Sequence, residues 1–195
     1  CGNERLFVAG SSWDEDEDII IRYINENPGS LKWVIAPHEI DEAHLRRIEK
    51  KIAPGTVRYS RYGEENREAR VMIIDNIGML SSVYRYASIA AVGGGFGRGI
   101  HNILEPACWG IPVLFGPNHT KFREAGHLIG RGGAVSFTGF ETFSAVVEKY
   151  LSDPAALEAA GAACNSYISE NKGATDKVYN EIFENQNGNN LLKKR

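Results

Sequence analysis

Three polar residues, His101, Asn102 and Glu105, stand directly behind a run of glycines in the stretch VGGGFGRGIHNILEPACWGIPVLFGPN (92–118). Bare positions such as Gly94 and Gly95 let backbone approach something bulky, and polar groups placed after them can grip it. A glycine loop running into a helix N-terminus is a ready anion site, offering backbone N–H groups to a phosphate or carboxylate. Glu105, one turn into that helix, would repel a phosphate, yet its two oxygens match two vicinal ribose hydroxyls. A second reading of the same residues is purely structural. Asn102-x-x-Glu105 is a capping box, and His101 is then a satisfied, half-buried loop histidine. The two readings are compatible.

Two common phosphate motifs are excluded by spacing. A dinucleotide fingerprint needs G-x-G-x-x-G, but the third position falls on Arg98, Ile100 or Asn102 in the three possible frames. No Gly-Lys-Ser/Thr follows the loop, so a Walker P-loop is absent as well. Further on, Gly116-Pro117-Asn118 forms a turn that could close over a ligand, with His119 or Lys121 near an acid group. A solvated helix lysine is the alternative for Lys121.

These groups need a frame that holds them. Buried strands are expected at RLFVAG, LKWVIAPH, TVRYSRY, ARVMIID, SIAAV, IPVLF and GAVSF, separated by helical patterns. Helices are expected after the acidic run Asp14–Asp18, over DEAHLRRIEKKI, GMLSSVYRYA, near 102–109, 120–130, 141–151, and from Pro154 to about Asn185. The acidic run suits a helix N-terminus, where carboxylates complement the dipole; a metal site is the outside alternative. Strands alternating with helices predict an α/β fold, a doubly wound, Rossmann-like parallel sheet with ligands beyond the carboxyl ends of its strands. One domain is expected over 1–185, with a frayed tail over 186–195.

Composition narrows the function further. Apolar residues make up 43% of the 195 and charged residues 24%, which is ordinary for a globular chain. The net charge of −3 and the lack of a basic stripe speak against a nucleic-acid partner. Cys1, Cys108 and Cys164 are far apart, with no CxxC and no HExxH, which points to a reducing compartment and to no structural zinc. The triplet Asn118-His119-Thr120 matches a glycosylation sequon by chance, since nothing else suggests secretion. No apolar run approaches the ~20 residues of a membrane span, and no signal peptide is visible. The chain opens on Cys1-Gly2-Asn3 rather than Met, and is expected to be a piece of a longer protein.

The run DNIGMLSSVYRYASIAAVGGGF, continued by GIHNILEPACWGIPVLFGPNHTKFREA, resembles the carboxyl-terminal domain of 3-deoxy-D-manno-octulosonic acid (Kdo) transferases. These are GT-B enzymes that transfer Kdo from CMP-Kdo to a lipid A precursor. VAGSSWDEDED is similar to the family's Ser-Ser/Thr turn ahead of acids, and NKGATDKVYNEI to its Gly-Ala ending. The G-x-H-N-x-L-E-P segment is the most specific part. The resemblance implies a donor site lined by Ser11 and Ser12, Pro37 and His38, Ile77, Gly78 and Met79, and Asn102, Ile103, Leu104 and Glu105. Gly94, Gly95, His101 and Lys121 join that site from the reading of the glycine loop and the turn after it. Where the family commonly has Pro-Arg-His, this chain has Ala36-Pro37-His38, so an arginine is missing.

The resemblance also implies an inverting transfer at the cytoplasmic face of the bacterial inner membrane. It needs no cofactor or metal. The catalytic carboxylate, the lipid acceptor site and the membrane anchor belong to an amino-terminal domain, so this chain is expected to bind CMP-Kdo without transferring Kdo. Two rivals remain open from sequence: a GT-B transferase using a UDP sugar, and a non-catalytic nucleotide-binding module.

Overall fold

The computed structural model describes residues 4–53 and 55–184. The opening Cys1-Gly2-Asn3 and the tail expected to fray over 186–195 lie outside the described residues. Seven strands form one sheet: β1 (Leu6–Ser12), β2 (Lys32–Pro37), β3 (Thr56–Arg58), β4 (Val71–Ile73), β5 (Ile89–Val92), β6 (Val113–Phe115) and β7 (Ala134–Ser136). Their order is β3-β4-β2-β1-β5-β6-β7, and every pairing is parallel. This is the doubly wound, Rossmann-like sheet expected from the alternation of strands and helices.

Both faces of the sheet are buried, as the near-continuous apolar strands require. Phe7, Ala9, Trp33 and Ile35 share one core with Ile20, Tyr23 and Ile24 of helix α1 (Asp14–Glu26) and Phe143 and Val147 of α6 (Phe140–Ser152). Val8, Val34, Val92 and Phe115 point the other way. They pack with Ala125 and Leu128 of α5 (Arg123–Arg131) and Cys164 of α7 (Pro154–Asn171). Alternate residues of β1 and β2 thus feed opposite layers.

Helix α2 (Glu42–Lys51) lies against the first core through Leu45 and Ile48, capped by Asp41, whose carboxylate accepts the His44 N–H at 3.0 Å. Helices α3 (Leu80–Val83), α4 (Leu104–Ala107) and α8 (Ala174–Tyr179) are short. No helix of the described residues is long and apolar enough to cross a membrane.

Several elements are shorter than their sequence pattern suggests. The helix expected from Pro154 to about Asn185 is broken at Gly173, which has φ +92°, and two others end early for local reasons. TVRYSRY alternates like a strand throughout, but β3 ends at Arg58 and a 3-10 turn covers Tyr59–Arg61. The reason is local: both the N–H and the hydroxyl of Ser60 donate to Asp75, which pulls the chain out of the ladder. The helix expected near 102–109 is a single turn, because its end tightens into i→i+3 bonds, Trp109 N–H to Pro106 O and Gly110 N–H to Ala107 O, both at 3.0 Å.

Candidate functional site

Strand β1 sits between β2 and β5, so the connections leaving β1 and β5 diverge to opposite sides of the sheet. The crevice beyond their carboxyl ends is the place where open α/β sheets bind ligands. Here it is a cleft of about 620 Å³, lined by Trp13, Asp16, His38, Gly94, Arg98 and His101 among others. That volume suits a small organic ligand. A second, apolar cavity of about 290 Å³ lies beside Met72, Met79 and Tyr86, and none of these cleft residues lines it.

Three rings form one wall. The indole N–H of Trp13 donates to His101 Nε2 at 2.9 Å, and the two ring planes lie 11° apart, joined edge to edge. His38 stacks across both, with centroids 4.6 Å from Trp13 and 4.3 Å from His101. Burial, and secondarily the neighbouring His38, holds the His101 imidazole below its ordinary value. His38 is placed by β2, whose last residue, Pro37, pairs with Ser12, while the His38 N–H donates to Ser12 O at 2.9 Å.

The glycine loop is held from inside the protein. Asp16 Oδ2 accepts the Gly94 N–H at 2.9 Å and the Trp13 N–H at 3.1 Å. Gly93, Gly97, Gly99 and His101 spend their N–H groups on backbone carbonyls. The turn after β6 is fastened to the loop as well, by the Asn118 N–H to Gly95 O at 2.8 Å and the Asn118 side-chain amide to Gly97 O at 2.6 Å. A loop of free N–H groups at a helix N-terminus is therefore not what the chain builds. Most of those donors are used, and the single-turn helix behind them carries little dipole.

Gly94 and Gly95 are bare for a related reason. Gly94 has φ +90°, and a Cβ there would sit 3.1 Å from His101 Cδ2 and 2.5 Å from Gly99 O. A Cβ on Gly95 would fall 2.6 Å from the backbone of Gly116. The atoms that crowd these positions are protein, not open cleft.

The other residues singled out by sequence divide. Ser11 adopts φ 50°, and Ser12 is buried with its hydroxyl donating to Glu17 Oε1 at 2.9 Å. Ile77 is exposed and Gly78 has φ +93°; with Met79 they form the turn into α3, away from the lining of the cleft. Ile103 is in the second core and Leu104 packs against it. Asn102 is not a helix cap in the expected sense. Its Oδ1 accepts the Leu104 N–H and its amide donates to Glu105 Oε1, both at 3.1 Å, so the capping box is replaced by a side-chain bond.

Glu105 stands close enough to Tyr84 that its charge adds to the effect of burial in raising the Tyr84 phenol. That phenol packs against Gly10 of β1, but Glu105 itself is not among the residues that line the cleft. Lys121 is exposed and outside the cleft lining, and the His119 ring rests on Phe115, so neither closes over the cleft. Arg98 is the cation that lines it. Sequence reasoning passed over Trp13, Asp16 and Arg98. The signal was a tryptophan in a β–α turn where small or polar residues are usual.

Among the described residues, one group of side chains has metal-ligand chemistry: Asp14, Glu17 and His44, with donor atoms within 4.8 Å of one another. Each already has a partner. Glu17 Oε2 and His44 Nε2 are 2.8 Å apart, Ser12 donates to the other Glu17 oxygen, and Arg47 pairs with Asp14. The acidic run thus starts α1 and ties it to α2.

No family model matches the chain. Its sequence is 37% identical over 140 residues to the 3-deoxy-D-manno-octulosonic acid transferase of Aquifex aeolicus, covering 70% of this chain and 37% of that protein. The chain is a homologue of the Kdo transferases. It spans little more than a third of that relative. In fold it is similar to the C-terminal CMP-Kdo binding domain of WaaA from Acinetobacter baumannii, with a TM-score of 0.74, 21% identity, and 85% and 89% of the two chains covered. WaaG, a glycosyltransferase involved in lipopolysaccharide biosynthesis, is similar with a TM-score of 0.62 at 14% identity, over 94% of this chain and 48% of that one. The expected kinship with the Kdo transferases and the Rossmann-like fold are thus both found.

Proposed function

We propose that this chain is the sugar-nucleotide half of a Kdo transferase and binds CMP-Kdo in the cleft beyond β1 and β5. The observation that carries the proposal is the position of that cleft at the switch point of the sheet, in a chain homologous to Kdo transferases. Glu105 would accept from the ribose hydroxyls, and Arg98 would face the acidic oxygens of the donor. In the transfer, an acceptor hydroxyl on the lipid A precursor loses its proton to a base outside this chain and bonds to the anomeric carbon of Kdo with inversion. The bond from that carbon to the phosphate oxygen breaks, and CMP leaves with the electron pair. This half contributes binding and electrostatic stabilisation of the leaving phosphate. Such an enzyme would work at the cytoplasmic face of the inner membrane.

Calorimetric titration with CMP, UMP and UDP tests the reading. CMP is expected to bind more tightly than either uridine nucleotide. Preference for UDP would assign the cleft to a UDP-sugar transferase, and no binding of any of the three would remove the nucleotide reading.

A further inference from the structure

We propose that Trp13 is a positioning residue whose indole N–H holds His101 as the neutral, Nδ1-protonated tautomer, so that the cleft meets its ligand with an uncharged hydrogen-bond donor. The statement about the ligand rests on the function proposed above; the statement about the tautomer does not.

The argument begins from what an indole can do. Its ring nitrogen donates and has no lone pair to accept with. At 2.9 Å from Trp13 Nε1, His101 Nε2 must therefore be the acceptor, and the ring proton of a neutral imidazole then resides on Nδ1. An imidazolium carries protons on both nitrogens, so charging His101 would break this bond. Among the described residues no partner is found for Nδ1, which leaves it free to donate.

Three neighbours hold the arrangement. The Trp13 backbone N–H is tied to Asp16, which also ties Gly94, so the indole and the loop that carries His101 share one anchor. Gly94 leaves room for the Cδ2–Nε2 edge of His101, the edge where the indole N–H arrives; a Cβ would come within 3.3 Å of Nε2 itself. His38 lies face-on at 4.3 Å, where a second cation would be repelled. The titratable or charged groups around the ring come from three elements: Glu15 and Asp16 of α1, His38 and Glu39 after β2, and Arg98 of the glycine loop. The depressed basicity of His101 accords with this enclosure.

The test uses the whole chain, labelled with nitrogen-15 at histidine, with His101→Gln to assign the resonances. In the wild type, long-range proton–nitrogen spectra should show His101 as one neutral tautomer, protonated at Nδ1, from about pH 7 to 8, with protonation setting in at a lower pH than for an ordinary histidine. CMP affinity should vary little with the state of this ring over that range. Trp13→Phe keeps an aromatic ring and removes the N–H. His101 should then mix tautomers and titrate closer to an ordinary histidine, and CMP should bind roughly fivefold more tightly as the pH falls, the difference between a neutral and a charged hydrogen bond. A wild-type His101 protonated at Nε2, or titrating normally, overturns the inference without any variant. So does a folded Trp13→Phe protein that keeps both the Nδ1 tautomer and the wild-type pH response. If the tautomer is as stated but CMP does not bind, the tautomer inference stands and the nucleotide reading fails.

Discussion

The Gly94 N–H donates to the carboxylate of Asp16 across 78 positions of sequence, joining the glycine loop after β5 to the first turn of the helix after β1. The second Asp16 oxygen is buried without a partner. Burial outweighs the two N–H bonds from Gly94 and Trp13, and pushes the carboxyl up from 3.8 to about 6. Keeping this anchor ionised at neutral pH costs stability.

That cost has a defined pH window. A group whose pKa is raised on folding contributes fully below its unfolded value and loses that contribution as pH rises through the folded value. Asp16 should therefore favour the folded state most below about pH 4 and least above about pH 6. Asp16→Asn does not titrate there. The stability of the wild type relative to Asp16→Asn should fall by roughly 3 kcal/mol between about pH 3 and about pH 7, most of it between about pH 4 and about pH 6. Denaturant unfolding of both proteins across the range measures it, and a pH-independent difference would falsify the assignment.

Gly95 and Gly116 form a close backbone crossing between the glycine loop and the end of β6. A methyl group on either meets the other's main chain, which cannot swing aside as a side chain can. Gly95→Ala should lower stability by about 1–3 kcal/mol, the usual cost of overpacking. The first effect should be a lower melting temperature rather than weaker nucleotide binding by the folded protein. A variant that melts normally and binds CMP weakly would return Gly95 to the ligand site.

Glu105→Gln separates the two roles that Asn102-x-x-Glu105 offers. A glutamine oxygen can still accept from the Asn102 amide, and the helix it begins is one turn long, so the melting temperature should change little. If the carboxylate holds ribose hydroxyls, CMP affinity should weaken by about 1–3 kcal/mol, the range for a charged hydrogen bond. Unchanged affinity in a normally folded variant would count against the ribose role.

The sheet was legible because its strands are apolar on both faces and are separated by helical repeats. The position of the cleft followed from that topology. Its lining was less legible, because spacing shows which residues are near in sequence and not which groups are already spent. Ser12 read as a ligand hydroxyl, but Glu17 takes it. The loop N–H groups read as free, but Asp16 and backbone carbonyls take most of them. Trp13 is an unusual residue type for its turn, but its partner His101 lies 88 positions away and only the fold brings the two together.

Ser12 gives the sharpest contrast between resemblance and geometry. Its hydroxyl donates to Glu17 Oε1, whose other oxygen meets His44 Nε2 at 2.8 Å, and all three side chains are buried. Ser12→Ala leaves one oxygen of a buried carboxylate unpaired, which should cost about 1–3 kcal/mol. His44→Ala removes the partner of the other oxygen and should likewise cost about 1–3 kcal/mol, the range for leaving a buried hydrogen-bonding group unpaired. Because both losses fall on Glu17, they should be non-additive in the double variant. CMP affinity of folded Ser12→Ala should stay within about threefold of the wild type, less than the loss of a direct hydrogen bond to the donor phosphate. Calorimetric binding below the melting temperature decides the matter. A folded Ser12→Ala protein that melts like the wild type but binds CMP tenfold more weakly would place the hydroxyl on the nucleotide and require Glu17 to take another partner.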